Sequence, residues 1–257
     1  MQVSIIGSGN VAWHLAPALD NTGFVVREVY SRDRRRAQAL VGRLYQAEAK
    51  DTLDFSGSDS EIFIIAVADD AIPEVVQALR LPPQAILVHT SGSQPLDLLL
   101  SASKHAGVFY PLQTFSREKK ISFEEVPLFV ESTDRETAAV LMKMGKTISR
   151  NVNQITSSQR LALHVAAVFA SNFANHMLTL SSKVMKDNKL QFEWLKPLIV
   201  ETINKALAIG PESAQTGPAR RGDLEILDKH FDFLESDPDM AEIYRVISQH
   251  IVDTFGE

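Results

Sequence analysis

No cysteine occurs among the 257 residues, which excludes disulfides, thiolate nucleophiles and sulfur-ligated metals. The seven histidines include no H-x-x-x-H pair, so no metal site carried on one helix is expected. No unbroken apolar run approaches the roughly 18 residues of a membrane span, so no membrane partner is expected. A strand-like run starts at residue 2, which predicts no signal peptide and a cytoplasmic location by default. Positive charge is in deficit. The 26 Lys and Arg against 32 Asp and Glu give a net charge of −6, which argues against a nucleic-acid partner held by general electrostatics. With 45% hydrophobic and 23% charged residues, the chain has enough apolar material for a full core, in one large or two modest domains.

The rest of the chain is organised around its first dozen residues, QVSIIGSGNVA at Gln2–Ala12. Val3, Ile5 and Ile6 make an apolar run of strand length, Gly7-Ser8-Gly9 cuts it off, and Asn10–Asn21 reads as a helix. A strand, a glycine turn and a helix in that order are the context that gives G-x-G-x-x-A its meaning. Gly7 permits the sharp turn, Gly9 lets a pyrophosphate approach the backbone, and Ala12 keeps the helix close to the sheet. The unpaired N–H groups and positive dipole end at Asn10 and Val11 complete an anion site.

The second apolar segment, Phe24–Tyr30, predicts the next strand, and the residues after it bear on the cofactor. An NAD site usually has an Asp or Glu about 20 residues beyond the glycines, on the ribose 2′-OH. Here Ser31 and Arg32 precede Asp33, and Arg34, Arg35 and Arg36 follow. A hydroxyl with arginines, Arg32 and Arg35 foremost, suits a 2′-phosphate and so NADP(H). Asp33 is either the N-cap of a helix running to about Tyr45 or a rival ribose ligand.

The strand within Glu61–Ala68 ends in the small residues Ala66, Val67 and Ala68, where a cofactor can lie against the backbone. Ala85–His89 is a further strand, followed by Thr90-Ser91-Gly92-Ser93. Uninterrupted apolar strands of this kind predict a parallel sheet covered on both faces. Thr90 and Ser91 are candidates for the cofactor, and His89 for the substrate or a proton. The plainer reading is a loop whose hydroxyls satisfy their own backbone. A short strand at Val108–Tyr110 leads into Tyr110–Phe115, where Gln113 and Thr114 are candidate pocket-wall residues. Val126–Val130, a helix near Arg135–Met144 and Thr147–Val152 complete an α/β half. The domains are therefore drawn at 1–153 and 154–257.

From Ser157 the apolar period becomes 3.6, predicting one long helix to about Met185, apolar around much of its girth and buried against several neighbours. His164, Ser171 and Asn175 fall within about 20° of one another on an ideal wheel, with Asn172 roughly 80° away. Helices are also expected at about Phe192–Ala208, Leu224–Leu234 and Ala241–Phe255. Between them Arg221 stands ready for a substrate carboxylate, while Asp223 reads as an ordinary N-cap. An all-helical half joined to a dinucleotide half usually closes a substrate cleft at the junction.

Gly7–Ala12, His89–Gly92, Tyr110–Phe115, His164 with Ser171-Asn172, and Gly217–Asp223 together carry a resemblance over nearly the whole chain. The chain resembles the bacterial family of Rossmann-like NADP oxidoreductases whose C-terminal domain has no assigned function. Its N-terminal part is also similar to pyrroline-carboxylate reductases and deazaflavin-linked NADP reductases, and its helical part to the C-terminal domain of the 6-phosphogluconate dehydrogenase superfamily. The resemblance implies an N-terminal Rossmann dinucleotide-binding domain, a C-terminal all-α domain and a homodimer built through the C-terminal helices. It brings no substrate. The wider hydroxyacid dehydrogenases place a catalytic Lys and an Asn one turn apart on the long helix. Here no lysine precedes Lys183, and His164 and Asn172 stand in that neighbourhood. Relatives often have His-Pro-Leu where this chain has Tyr110-Pro111-Leu112.

The expectation is an NADP(H)-dependent oxidoreductase acting on a small carbonyl or imine, with no metal. In it His164 moves the proton, Asn172 orients the substrate oxygen, and Ser171, His89, Gln113, Thr114 and Arg221 line the substrate's place. The alternative is a non-catalytic NADP(H)-binding sensor or interaction protein, which the missing lysine keeps open.

Overall fold

The strand β1 (Gln2–Ile6) lies inside an eight-stranded sheet that grows outward from it on both sides. The other strands are β2 (Val25–Tyr30), β3 (Glu48–Lys50), β4 (Ile62–Ile65), β5 (Ile86–His89), β6 (His105–Pro111), β7 (Leu128–Ser132) and β8 (Val152–Gln154), in the order β3-β2-β1-β4-β5-β6-β7-β8. The computed structural model describes residues 1–256 and divides by contacts into two units, Met1–Asn172 and Phe173–Glu257.

Alternation along each strand builds two apolar layers. Val3, Ile5, Ile62 and Ile64 face one way, onto Ala12, Leu15 and Leu19 of α1 (Asn10–Asp20), Leu40 of α2 (Arg34–Val41) and Leu141 and Met144 of α4 (Arg135–Ile148). Ile6, Phe63 and Ile65 face the other, onto Ile72 and Val76 of α3 (Ile72–Ala78) and Leu99 of a 3-10 turn. Both faces are covered, as the apolar strands implied. One detail differs from an all-parallel sheet: β6 and β7 pair antiparallel, Tyr110 opposite Phe129. The chain after β6 returns through a loop rather than a crossover helix, and a five-residue apolar run carries no sign of its direction. The segment expected at Thr147–Val152 divides between the end of α4 and β8. The helix expected to reach Tyr45 stops at Val41 before Gly42.

The long helix is continuous in chain but not in geometry. α5 (Ser157–Ala167) and α6 (Ala174–Asp187) are joined by a π-helical turn, Val168–Phe173. A capping box, Thr156 with Gln159, starts it. Its burial corrects the sequence expectation: Leu161 is 49% exposed and Val165 47%, so this face is open rather than packed on neighbours. By length and composition one 18-residue window of Ser157–Asp187 also reaches a membrane-span mean hydropathy of 1.2, although no unbroken apolar run does. After it come α7 (Lys196–Ile209), the short α8 (Pro211–Ala214), α9 (Leu224–Leu234, capped by Asp223) and α10 (Pro238–Phe255, capped by Asp237).

Candidate active site

The glycine turn and the ends of β2 and β4 enclose a groove of about 550 Å³. Gly7, Ser8, Gly9, Asn10, Val11, Ser31, Arg32, Ala66, Val67 and Ala68 all line it. The two glycines do different things. Gly7 has φ +119°, and a Cβ there would stand 2.3 Å from the Ala66 carbonyl oxygen, so the fold itself requires glycine. Gly9 has φ −72°, and a Cβ there would meet nothing closer than the Ala66 oxygen at 3.8 Å. The backbone does not need glycine at Gly9; it leaves room above the helix start instead. No side chain caps that start, so its first N–H groups are left to an anion. The Ser8 hydroxyl donates to Ser31 Oγ at 2.8 Å, tying the turn to the end of β2.

Around Arg32 the carboxylate is spoken for. Asp33 accepts from the Arg35 backbone N–H at 3.0 Å as the N-cap of α2 and lies 3.5 Å from Arg36 Nε. Arg34 turns away to Asp51 at 2.8 Å. Arg36, not Arg35, lines the groove, and Ala12 is fully buried beneath it. Ser31, Arg32 and Arg36 thus offer a hydroxyl and two guanidinium groups where a nucleotide's 2′-phosphate can be held.

A second group of polar residues gathers at the carboxyl ends of β5 and β6. The Tyr110 hydroxyl and His164 Nδ1 are 3.0 Å apart, their rings edge to face. Gly92 makes this approach possible, since a Cβ there would come within 2.4 Å of His164 Nδ1 and 2.9 Å of Tyr110 Cζ. Burial, aided by the Asp69 carboxylate, pushes the Tyr110 phenol above its ordinary range. Asp69 accepts from Ser91 Oγ at 2.7 Å and Ser93 Oγ at 2.6 Å. Ser91 Oγ in turn accepts from the Ser93 and Gln94 backbone N–H groups. Arg160, one turn before His164 on α5 and 2% exposed, donates from Nε to Glu131 at 3.0 Å and from Nη1 to the Ser91 carbonyl at 3.1 Å. It pins the turn from below.

His89 is fully buried and accepts the Ser91 backbone N–H at Nδ1, 3.1 Å away. Burial first, then the Arg160 charge, lowers its pKa to about 4, so its ring is neutral at neutral pH and helps hold the turn. Thr90 bonds back to the Ile65 carbonyl and, like Ser91, lies outside the groove lining. Gln113 and Thr114 bond to each other on the exposed loop after β6. Ser171 and Asn172 occupy the π turn, where Asn172 is exposed, and Arg221 is an exposed residue of the second unit. Asp69 and Arg160 were given no role by the sequence reading, and Tyr110 was placed in a pocket wall without being paired to His164. The available signal was Arg160 and His164 four apart, a spacing that puts both on one face of a helix.

A Rossmann-like domain family matches residues 1–113, and a domain of unknown function, DUF2520, matches residues 126–251. No curated protein matches the chain. Among solved structures, protein BF3122 from Bacteroides fragilis, described as a putative NADP oxidoreductase, is 37% identical over 98% of both chains with a TM-score of 0.90. A reductive aminase from Aspergillus terreus, in complex with NADPH and ethyl levulinate, is 14% identical over 99% of this chain and 95% of its own, with a TM-score of 0.72. Pyrroline carboxylate reductase from Plasmodium falciparum, with NADP bound, is 13% identical over 98% of both, with a TM-score of 0.60. The two distant likenesses are likenesses of fold. The close one extends from end to end, and the chain belongs with BF3122 to the family of Rossmann-like proteins that carry a DUF2520 domain.

Proposed function

We propose that the protein is an NADP(H)-dependent oxidoreductase of the cytoplasm that transfers hydride to or from a small carbonyl or imine substrate. The cofactor's diphosphate would be held by the N–H groups above Gly9, and its 2′-phosphate by Ser31, Arg32 and Arg36. Bound there, it supplies the hydride. The observation that carries the catalytic part is the Tyr110–His164 hydrogen bond, 3.0 Å, at the strand ends where ligands of such sheets collect.

His164 exchanges the proton with the substrate heteroatom from Nε2, because Nδ1 is engaged by Tyr110. With the proton exchanged at Nε2, Nδ1 keeps its hydrogen and donates to the phenol oxygen in the charged and the neutral ring alike, so Nδ1 has a partner in both states. Its raised pKa keeps Tyr110 protonated throughout. Asp69, Ser91 and Ser93 fix the turn against which the pair rests. On the substrate side, the Asn172 amide would orient an oxygen. We propose also that the protein is a homodimer through its C-terminal helices, since α7 leaves Leu198, Val200, Ile203, Leu207 and Ile209 each more than half exposed.

The test is a panel of keto acids, ketones and imines with NADPH, followed at the nicotinamide absorbance band. Sustained oxidation is expected with at least one member, and His164→Ala should lower that turnover by about 10²–10⁴ while NADPH affinity stays within about twofold. Tight NADPH binding without turnover across the panel would favour a sensor instead. Loss of cofactor binding in His164→Ala would remove the role given to this histidine.

A further inference from the structure

On the flank of the first unit, away from the groove lining, α1, the end of α4 and the loop after β6 enclose an open cavity of about 760 Å³. Trp13 is part of its lining. Two guanidinium groups lie over the indole, Arg43 at 4.3 Å and Arg117 at 4.7 Å from the ring centroid. Arg43 donates to the Trp13 carbonyl and Arg117 to the Ser8 carbonyl. Each thereby uses one arm of a five-donor fork, and the remaining donors are uncommitted to any carboxylate. Among the described residues neither has an acidic partner within 4.0 Å, and the same holds for Lys120 and Lys146 in the same cavity wall.

The acids present do not neutralise this group. Glu124 is held by Arg150, and Glu118 is exposed on the rim. Lys146 stands in the last turn of α4, where the helix dipole favours a cation, but the two guanidinium groups have no such explanation. Four cations with no acidic partner within 4.0 Å line this one concavity, whose charged lining, five Lys and Arg against Glu118 and Glu124, is positive in a chain of net charge −6. Two like charges sharing one indole repel each other, and a ligand with two or more negative oxygens relieves that repulsion while filling both forks.

We infer that this cavity is a second anion site, taking a small polyanion that carries phosphate groups and distinct from the groove above Gly9. Arg117 connects it to the glycine turn through the Ser8 carbonyl.

The chain has two tryptophans, so a Trp194→Phe background leaves Trp13 as the sole indole reporter. Inorganic pyrophosphate titrated into that protein at constant ionic strength should change Trp13 emission and saturate below millimolar concentration. Arg43→Gln with Lys146→Gln should weaken the midpoint by about tenfold or more, because two charge-assisted contacts are lost. Gly9→Glu, which places a carboxylate where a dinucleotide's diphosphate would approach, should leave the midpoint within about twofold. Circular dichroism of each variant checks that it is folded, and Lys146→Gln alone serves if the double variant is not. The inference is overturned by an emission that does not change, by an unchanged midpoint in the Arg43 and Lys146 variants, or by loss of the response in Gly9→Glu. That last result would put the anion at the glycine turn. None of these outcomes depends on turnover.

Discussion

In the first unit Val3, Ile5, Ile62, Ile64, Leu87 and Val108 have no exposed surface; in the second, among the described residues, only Ala219, Leu227, Met240 and Ser248 are buried. The second unit instead exposes Trp194 at 61%, Leu198 at 63% and Leu207 at 82%. A sheet covered on both faces closes its own core, whereas helices that leave large apolar side chains exposed need something beyond themselves. Substitutions in the first unit should therefore be felt as stability, and those on α7 as association.

The largest effect expected is that of Gly7→Ala, which drives a Cβ into the Ala66 carbonyl at a φ reserved for glycine. It should abolish folded, soluble protein, measured by circular dichroism and melting. Gly9→Ala should melt within a degree or two of the parent yet bind NADPH about tenfold more weakly by calorimetry. Equal behaviour of the two variants would erase the distinction between a glycine for the fold and a glycine for the ligand.

Next is Arg160→Met, which leaves the Glu131 carboxylate without its buried cation and should cost about 3 kcal/mol or more in urea unfolding. Adding Glu131→Leu should return most of that loss, and a double variant as unstable as the single would show that the pair is not the cause. His89 sets a comparable limit in acid. Its folded pKa of about 4 lies below the ordinary histidine value of 6.5, so the folded state favours the neutral ring. The associated stability, about 3 kcal/mol, is present above pH 6.5 and is lost as the pH falls from there to 4. His89→Gln should flatten that part of the stability–pH curve. The smallest effect on stability is expected at Leu207→Glu, within about 0.5 kcal/mol. Its signature belongs to light scattering, where a mass of two chains should fall to one. A parent already at the mass of one chain would break the comparison.

How much of this was visible in the residues themselves differs between the halves for the same reason. β1, the glycine turn and α1 are local: each depends on neighbours a few positions away, and all three stand within a residue of where the sequence puts them. Asp33 and Asp223 were readable as caps on the same grounds. The antiparallel β7 was not readable, because alternation fixes a strand's faces and leaves its direction open. The wheel that aligned His164 with Ser171 and Asn175 assumed 100° per residue, and the π turn at Val168–Phe173 takes up extra residues and breaks that arithmetic. The Tyr110–His164 pair joins residues 54 apart in the chain, and Arg160 reaches Ser91 across 69. Periodicity marked α5 as apolar, but what covers an apolar face is a property of its neighbours and is not written in the helix.

Gly92 deserves a different kind of experiment from the polar residues beside it. Every side-chain replacement at Tyr110 or His164 alters chemistry and position together. A single methyl at Gly92 alters position alone, because the added carbon would occupy the space in which the imidazole now rests. The ring must then retreat from its present place with both of its nitrogens still in it. Gly92→Ala and bulkier successors thus form a graded ruler for how far the histidine can be displaced before proton exchange fails.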